Sequence, residues 1–256
     1  MVNQIPEFMV DRTYAPARDM EAILREREIP LWAWESRRPV SEFDLVGFSL
    51  QYELTYTNVL NMLELSKLEI LSEDRESQRL FPLVFGGGPS AINPEPMAAF
   101  FDFFMIGDGE SAVPRALKII DEVKSQLAEV HGELTGEALK FVRRRLLYKL
   151  ALEVPGIYVP ILSVQSEGEP VAKPRSVEDL REFLGLNIDS SSPYDQLSRS
   201  WFPALDGDKT GINERVFRQV SPLNDVNQPT KSLVPYLALV HDREVLEVRR
   251  GCDRGC

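Results

Sequence analysis

Residues 83–110 read LVFGGGPSAINPEPMAAFFDFFMIGDGE. The stretch opens on a short apolar run that passes into Gly86, Gly87 and Gly88. A short helix follows, with Pro94 near its start, where a missing N–H costs nothing. A second apolar run, FDFFMI, then ends in the turn Gly107-Asp108-Gly109 and Glu110. Short runs without polar alternation suit strands buried on both faces of a parallel sheet.

Reading outward supports the same architecture. Upstream, Phe43–Gln51 (FDLVGFSLQ) is another near-continuous apolar run, and TYTNVLNMLELSKLEIL after it spaces Tyr56, Val59, Leu60 and Leu63 as a helix does. Downstream, ESAVPRALKIIDEVKSQLAEV sets Val113, Ala116, Leu117, Ile120 and Val123 on one helical stripe, with Pro114 in its first turn. Strands alternating with helices predict a doubly wound α/β sheet. Ligands of such sheets bind beyond the carboxyl ends of the strands. The segments VGFSLQ, FGGGPS and IGDGE fall at three such ends and are expected to meet at one edge.

Several pieces flank this core. EFMV (Glu7–Val10) reads as a strand, ARDMEAILRERE as a helix with Met20, Ile23 and Leu24 on one face, and IPLWAWES as a short extended piece. Residues 133–152 form a further helix, with Leu139, Val142, Leu146 and Leu150 inward. Its other face carries Lys140, Arg143, Arg144 and Lys149 and reads as a solvated surface. GIYVPILSVQ reads as a strand. Residues 166–230 lose periodicity and read as a long, partly ordered inter-domain connection. SLVPYLALVHDREVLEVRRG then gives two β-rich runs around the turn HDRE.

Each candidate site residue has two readings at this level. Gly86–Gly88 make either a tight turn or a backbone cradle for a phosphate or a flat ligand. The spacing is neither G-x-G-x-x-G nor a P-loop. Asp108 and Glu110 either cap a helix or act as carboxylates in a site. Ser49, Gln51, Tyr52 and Glu53 either line a crevice or cap the next helix. His131 and His241 stand in unrelated surface contexts. Cys252 and Cys256, the only cysteines, have C-x3-C spacing in RRGCDRGC, which suits two free thiols or part of a metal or cluster site. Adjacent arginines favour the thiolate form.

Composition narrows the class. The 256 residues are 43% hydrophobic, enough for a sizeable core, and the net charge of −11 argues against nucleic acid or anionic membrane as a partner. No apolar run reaches the roughly 18–20 residues of a membrane span. The N-terminus lacks the pattern of a signal peptide. A reducing, cytoplasmic setting is expected.

The terminal EVLEVRRGCDRGC resembles the opening of a radical S-adenosylmethionine (radical SAM) domain, which carries C-x3-C-x2-C on the loop after its first barrel strand. Cys252 and Cys256 match the first two cysteines. The upstream half is similar to the B12-binding-type Rossmann domain found in one branch of that superfamily. LVGFSLQYELTYTNVLNML, residues 83–110 and RRGCDRGC follow one another in the family's order. The similarity spans most of residues 8–160 and about 232–256 and leaves out 183–210.

The resemblance implies a Rossmann-like domain over 1–165 lacking its first strand, a linker or insertion over 166–230, and the truncated start of a radical SAM barrel over 231–256. It implies a [4Fe–4S] cluster on three thiolates, S-adenosylmethionine bound at the open iron, and radical chemistry on a substrate. Cobalamin is implied as a cofactor, with Ser49, Leu50 and Gln51, Gly86, Gly87 and Gly88, and Gly107, Asp108, Gly109 and Glu110 as its candidate contacts. The family's D-x-H-x-x-G signature is absent. The chain is expected to be an N-terminal fragment, inert by itself, with a separate chain as the other source of the barrel. Two other readings stand beside it. One is a stand-alone corrinoid- or nucleotide-binding or partner-docking module. The other is a zinc or redox site completed by another chain.

Overall fold

The computed structural model describes residues 2–164, 173–188, 192–202, 205, 210–212 and 216–222. In chain order its elements are α1 (Arg18–Glu26), β1 (Leu45–Ser49), α2 (Tyr56–Leu65), α3 (Ser72–Gln78), β2 (Leu83–Gly87), β3 (Phe103–Met105), α4 (Gly109–Ala128), α5 (Gly136–Glu153), β4 (Ile157–Tyr158), β5 (Ser163–Val164), β6 (Lys173–Pro174), α6 (Val177–Phe183) and α7 (Pro193–Arg199).

The main sheet has the order β1-β2-β3-β4. β1 and β2 pair in parallel with Val46 opposite Val84, and β2 and β3 in parallel with Phe85 opposite Phe103. β4 joins β3 antiparallel. The expected parallel sheet is thus corrected to a mixed, mostly parallel one. The reason lies between β3 and β4. Two long helices intervene there instead of one, so the chain goes down and back up and must enter β4 in reverse.

Strand periodicity divides the core in two. On one face Leu83, Phe103 and Met105 meet Ala116, Ile120 and Val123 of α4 and Val142 and Leu146 of α5. On the other, Val46, Val84 and Phe104 meet Leu24 of α1 and Val59 and Leu63 of α2. Phe85 stacks on Phe103 with ring centroids 5.2 Å apart.

Four expectations change at this level. Glu7–Val10 is not a strand: Glu7 lies in a turn, and the Val10 N–H donates to the Asn3 side chain at 2.6 Å rather than to a ladder. In α1 only Leu24 is buried, while Met20 and Ile23 are exposed. β1 is buried on one face only, with Val46 inside and Gly47 and Ser49 exposed, because α4 and α5 sit over β2 and β3 rather than over it. The stretch read as a connection holds α6 and α7, whose Leu180 and Tyr194 join the core beside α5. The Ser176 hydroxyl caps α6 by accepting from the Asp179 N–H at 3.1 Å.

The basic face of α5 is not a solvated surface. Arg143 is fully buried and donates to Asp102 Oδ2 at 2.9 Å and to the carbonyls of Arg79 and Leu80. Asp102 also accepts from the Val84 N–H at 2.6 Å and faces Arg75 at 3.7 Å. Burial lowers the pKa of Arg75, and Asp102 opposes that shift. Arg144 pairs with Glu76 and lies 3.9 Å from the centre of the Phe183 ring. Arg145, fully buried, pairs with Asp195 of α7 at 2.6 Å. Charges can be sealed this deeply only when paired and hydrogen-bonded.

Candidate cofactor cleft

A cleft of about 730 Å³ lies over the uncovered face of β1. Its floor is built from alternate strand residues: Leu45, Gly47 and Ser49 of β1, Phe85 and Gly87 of β2, and Met105 of β3. One wall is α4, through Val113 and Leu117, and the facing wall is the segment Glu7–Asp11. Gly47 keeps the floor flat, because a Cβ there would stand 2.5 Å from the Phe85 ring.

The two ends of the cleft differ. At the amino end of β1, Lys124 pairs with Asp44 at 2.6 Å. Asp11, on the facing wall, accepts from the Ser36 N–H at 2.7 Å and the Glu35 N–H at 2.9 Å. Partial desolvation acts to raise its pKa, but hydrogen bonds from Ser36 and Arg12 prevail and hold the carboxyl below its usual range. At the carboxyl end, Ser49, Gly87, Gly88, Gly107 and Gly109 form the lip. The Leu50 N–H donates to the Gly87 carbonyl at 2.7 Å and the Leu50 carbonyl accepts from the Ser90 N–H at 3.0 Å, stitching two strand exits together.

The sequence-derived candidates scatter. Gly87 faces open cleft, since its nearest neighbours to a built Cβ are 3.9 Å away. Gly88 has φ +98° and packs on the Leu50 backbone. Gly86 points to the opposite face, where a Cβ would meet Leu50 and Phe104 at 2.9 Å. Leu50 is itself a core residue on that side. Gln51 is exposed and donates to Ser49 Oγ at 2.9 Å. Asp108 is the N-cap residue of α4 and accepts from the Ser221 N–H at 2.7 Å, and Glu110 sits in the first turn of the helix. His131 lies past the far end of α4, about 30 Å along a helix of that length from the lip. Cys252, Cys256 and His241 lie outside the described residues. Among the described residues no group of three potential metal ligands exists, and no helix is long and apolar enough to cross a membrane.

Gly47 and Phe85 lie in the segments VGFSLQ and FGGGPS expected at the ligand edge but were not singled out as site residues, and the Glu7–Asp11 wall was not foreseen. Gly47 carried a usable signal, since an isolated glycine inside a strand marks a close approach. The wall carried none.

The chain's relationships agree with this geometry at the level of family. No curated protein and no solved structure compared with the chain matches it. A family model described as radical SAM proteins, N-terminal, matches residues 1–160. That match covers well over half of the 256 residues and takes in the whole cleft, so the chain belongs to the radical SAM N-terminal family.

Proposed function

We propose that this chain is the N-terminal α/β module of a radical SAM enzyme, and that its cleft seats a small-molecule cofactor, cobalamin, beside the site of radical chemistry. The observation that carries the cofactor reading is Gly87. It stands at the carboxyl end of a central strand, where a Cβ would make no contact closer than 3.9 Å, with the cleft in front of it. The volume is that of a site for a drug-sized ligand, so a corrinoid would be only partly enclosed by this chain. Ser49, Gly87 and Gly88 would hold the ligand by shape and backbone contact. With His131 at the far end of α4, no described histidine is near enough to serve as a cobalt ligand.

Cys252 and Cys256 would supply two of the three thiolates of a [4Fe–4S] cluster in the same enzyme. When bound with S-adenosylmethionine, such a cluster supplies the electron that starts radical chemistry. A reducing cytoplasm suits thiolates kept for iron. The Rossmann-like unit of 1–165 is expected to be inert without the catalytic barrel.

Anaerobic titration with hydroxocobalamin tests the cofactor reading. A saturable spectral change is expected, weakened at least tenfold by Gly87→Val. Gly87→Ala serves as the milder variant, because its Cβ would make only ordinary contacts, at 3.9 Å from the Met105 carbonyl oxygen and the Phe85 ring. Absence of saturable binding removes the cofactor role.

One observation favours a second reading, a docking module. The cleft follows the whole length of β1. Leu50 and Asp44 turn their backbone groups toward β2, so by the two-residue period those of Leu45, Gly47 and Ser49 turn away from it. Among the described residues no strand pairs with that edge. A strand from a separate chain carrying the barrel could add there. Hydrogen exchange separates the readings: strand addition protects the Gly47 and Ser49 amides together, and cobalamin binding does not.

A further inference from the structure

The cleft is charged unevenly along its length. Near the amino end of β1 it is lined by the carboxylates of Asp11, Glu42, Asp44 and Asp121, against the two bases Arg38 and Lys124. Both bases are already committed, Lys124 to Asp44 at 2.6 Å and Arg38 to Glu42 at 3.6 Å. Asp11 and Asp121 are left over, on facing walls. Asp121 makes no ion pair or hydrogen bond through its side chain among the described residues. Asp11 is held by backbone. Its Oδ1 accepts from the Arg12 N–H at 2.7 Å and the Glu35 N–H at 2.9 Å, and its Oδ2 accepts from the Ser36 N–H at 2.7 Å. Amide donors fix a carboxylate in place and favour its charged form. The nearest guanidinium, Arg12, pairs with Glu35 instead. The other end of the cleft differs. Asp121 stands about 18 Å along α4 from Gly109, and the lip beside Gly109 is built from Ser49 and glycines. Between the ends the floor is apolar and nearly level, since Gly47 and Gly87 add no side chain beside Phe85 and Met105.

We propose that the amino end of this cleft recognises a cationic or amide N–H group of its ligand, with Asp11 and Asp121 as the specificity-determining residues, while the level floor takes a flat apolar body. A cation or an amide N–H placed between the two walls meets acceptors that the protein leaves unspent. An anionic group placed there meets carboxylates with no free base to offset them, and the low-dielectric floor beneath strengthens the repulsion. The cleft therefore admits flat ligands edged with amides or amines and rejects those edged with phosphates. A corrinoid, with carboxamides around its ring, belongs to the first class, and a nucleoside triphosphate belongs to the second. This ligand class rests on the cleft being a small-molecule site, and it does not require that molecule to be cobalamin.

Two fluorescent dyes of opposite charge give the test: thioflavin T, flat and cationic, and anilinonaphthalenesulfonate, apolar and anionic. Each is titrated onto the full chain at low salt, where charge effects on an open cleft are largest. Thioflavin T is expected to bind saturably and severalfold more tightly than the sulfonate. Asp11→Asn and Asp121→Asn are each expected to weaken thioflavin T severalfold and to narrow the gap between the dyes. Asp121→Asn breaks no bond within the described protein, so it covers the case in which Asp11→Asn disturbs its own loop. Glu133→Gln removes one negative charge at an exposed position outside the cleft and is expected to leave both dyes unchanged, which separates a local effect from the net charge of −11. Hydroxocobalamin added to the thioflavin T complex keeps the two proposals apart. Displacement of the dye supports a corrinoid in this cleft, whereas no displacement removes cobalamin and leaves the ligand class standing on the dye results. The ligand class is overturned if the sulfonate binds as tightly as thioflavin T, if neither dye binds saturably, or if both asparagine variants bind thioflavin T as the parent does.

Discussion

Arg143 of α5 and Asp102, the residue leading into β3, meet at 2.9 Å with both side chains almost sealed from water. The same carboxylate faces Arg75 at 3.7 Å and accepts from the Val84 N–H, so one anion serves two buried cations and a strand amide. Asp102→Ala strands both guanidiniums without a counter-charge. It is expected to destabilise the fold by about 3–5 kcal/mol. Asp102→Asn keeps an acceptor for Val84 and is expected to cost less. Urea denaturation of the two variants checks both the size and the order.

Gly86 and Gly87 are adjacent but face opposite sides of the sheet. A Cβ at Gly86 runs into Leu50 and Phe104, so Gly86→Ala is expected to cost about 1–3 kcal/mol by overpacking. Gly87→Ala is expected to stay within about 0.5 kcal/mol of the parent. Thermal or urea unfolding of the pair measures the contrast without reference to any ligand.

Arg25 of α1 donates to Glu21 at 3.0 Å and to Glu64 of α2 at 2.9 Å. These bonds, the largest influence on either carboxylate, hold both pKa values below the ordinary range. A depressed carboxylate contributes stability above its unfolded pKa, roughly 4.3 for Glu, and loses it as pH falls through the folded value. Arg25→Gln is therefore expected to be less stable than the parent at neutral pH, with the gap closing in acid. A gap that stays constant from pH 7 to pH 3 counts against the pairing.

Tyr148 of α5 donates to the Thr210 carbonyl at 2.5 Å, and burial pushes its pKa up to about 12. A raised pKa means that its stabilising contribution is full below the ordinary value of about 10 and fades as pH rises through 12. In ultraviolet titration Tyr148→Phe is expected to lose one late-ionising phenol. Tyr158, also raised by burial and by its bond to Glu95, remains.

The sequence was readable where both faces of a strand are covered. Val84 and Phe104 face one core and Leu83 and Phe103 the other, so the runs at 83–87 and 103–105 are apolar without a break. It was less readable at β1, where an equally apolar run hides a face left open by its neighbours. Glu7–Val10 shows the same limit from the other side, since an extended apolar segment becomes a strand only with a partner to pair with. α6 and α7, at seven residues each, are too short to show a helical period, and it is Leu180, Leu184 and Tyr194 that tie this region to α5.

Site residues were harder to read than elements. Three consecutive glycines look alike on paper, yet one is shaped by the core, one by the cleft and one by a turn. The arginines of α5 misled for a related reason. Charge in a sequence reads as surface, and nothing in residues 143–145 announces that Asp102 and Asp195, far along the chain, will neutralise two of them.

Those three arginines occupy one turn of α5 and point to three different parts of the molecule. Arg143 grips the lead-in to β2, Arg144 holds α3 and the end of α6, and Arg145 holds α7. α3 is far in sequence from α6 and α7, and this turn ties each of them by charge to the same helix. That single turn is therefore a three-way junction: a change within it is felt by α3, α6 and α7 at once.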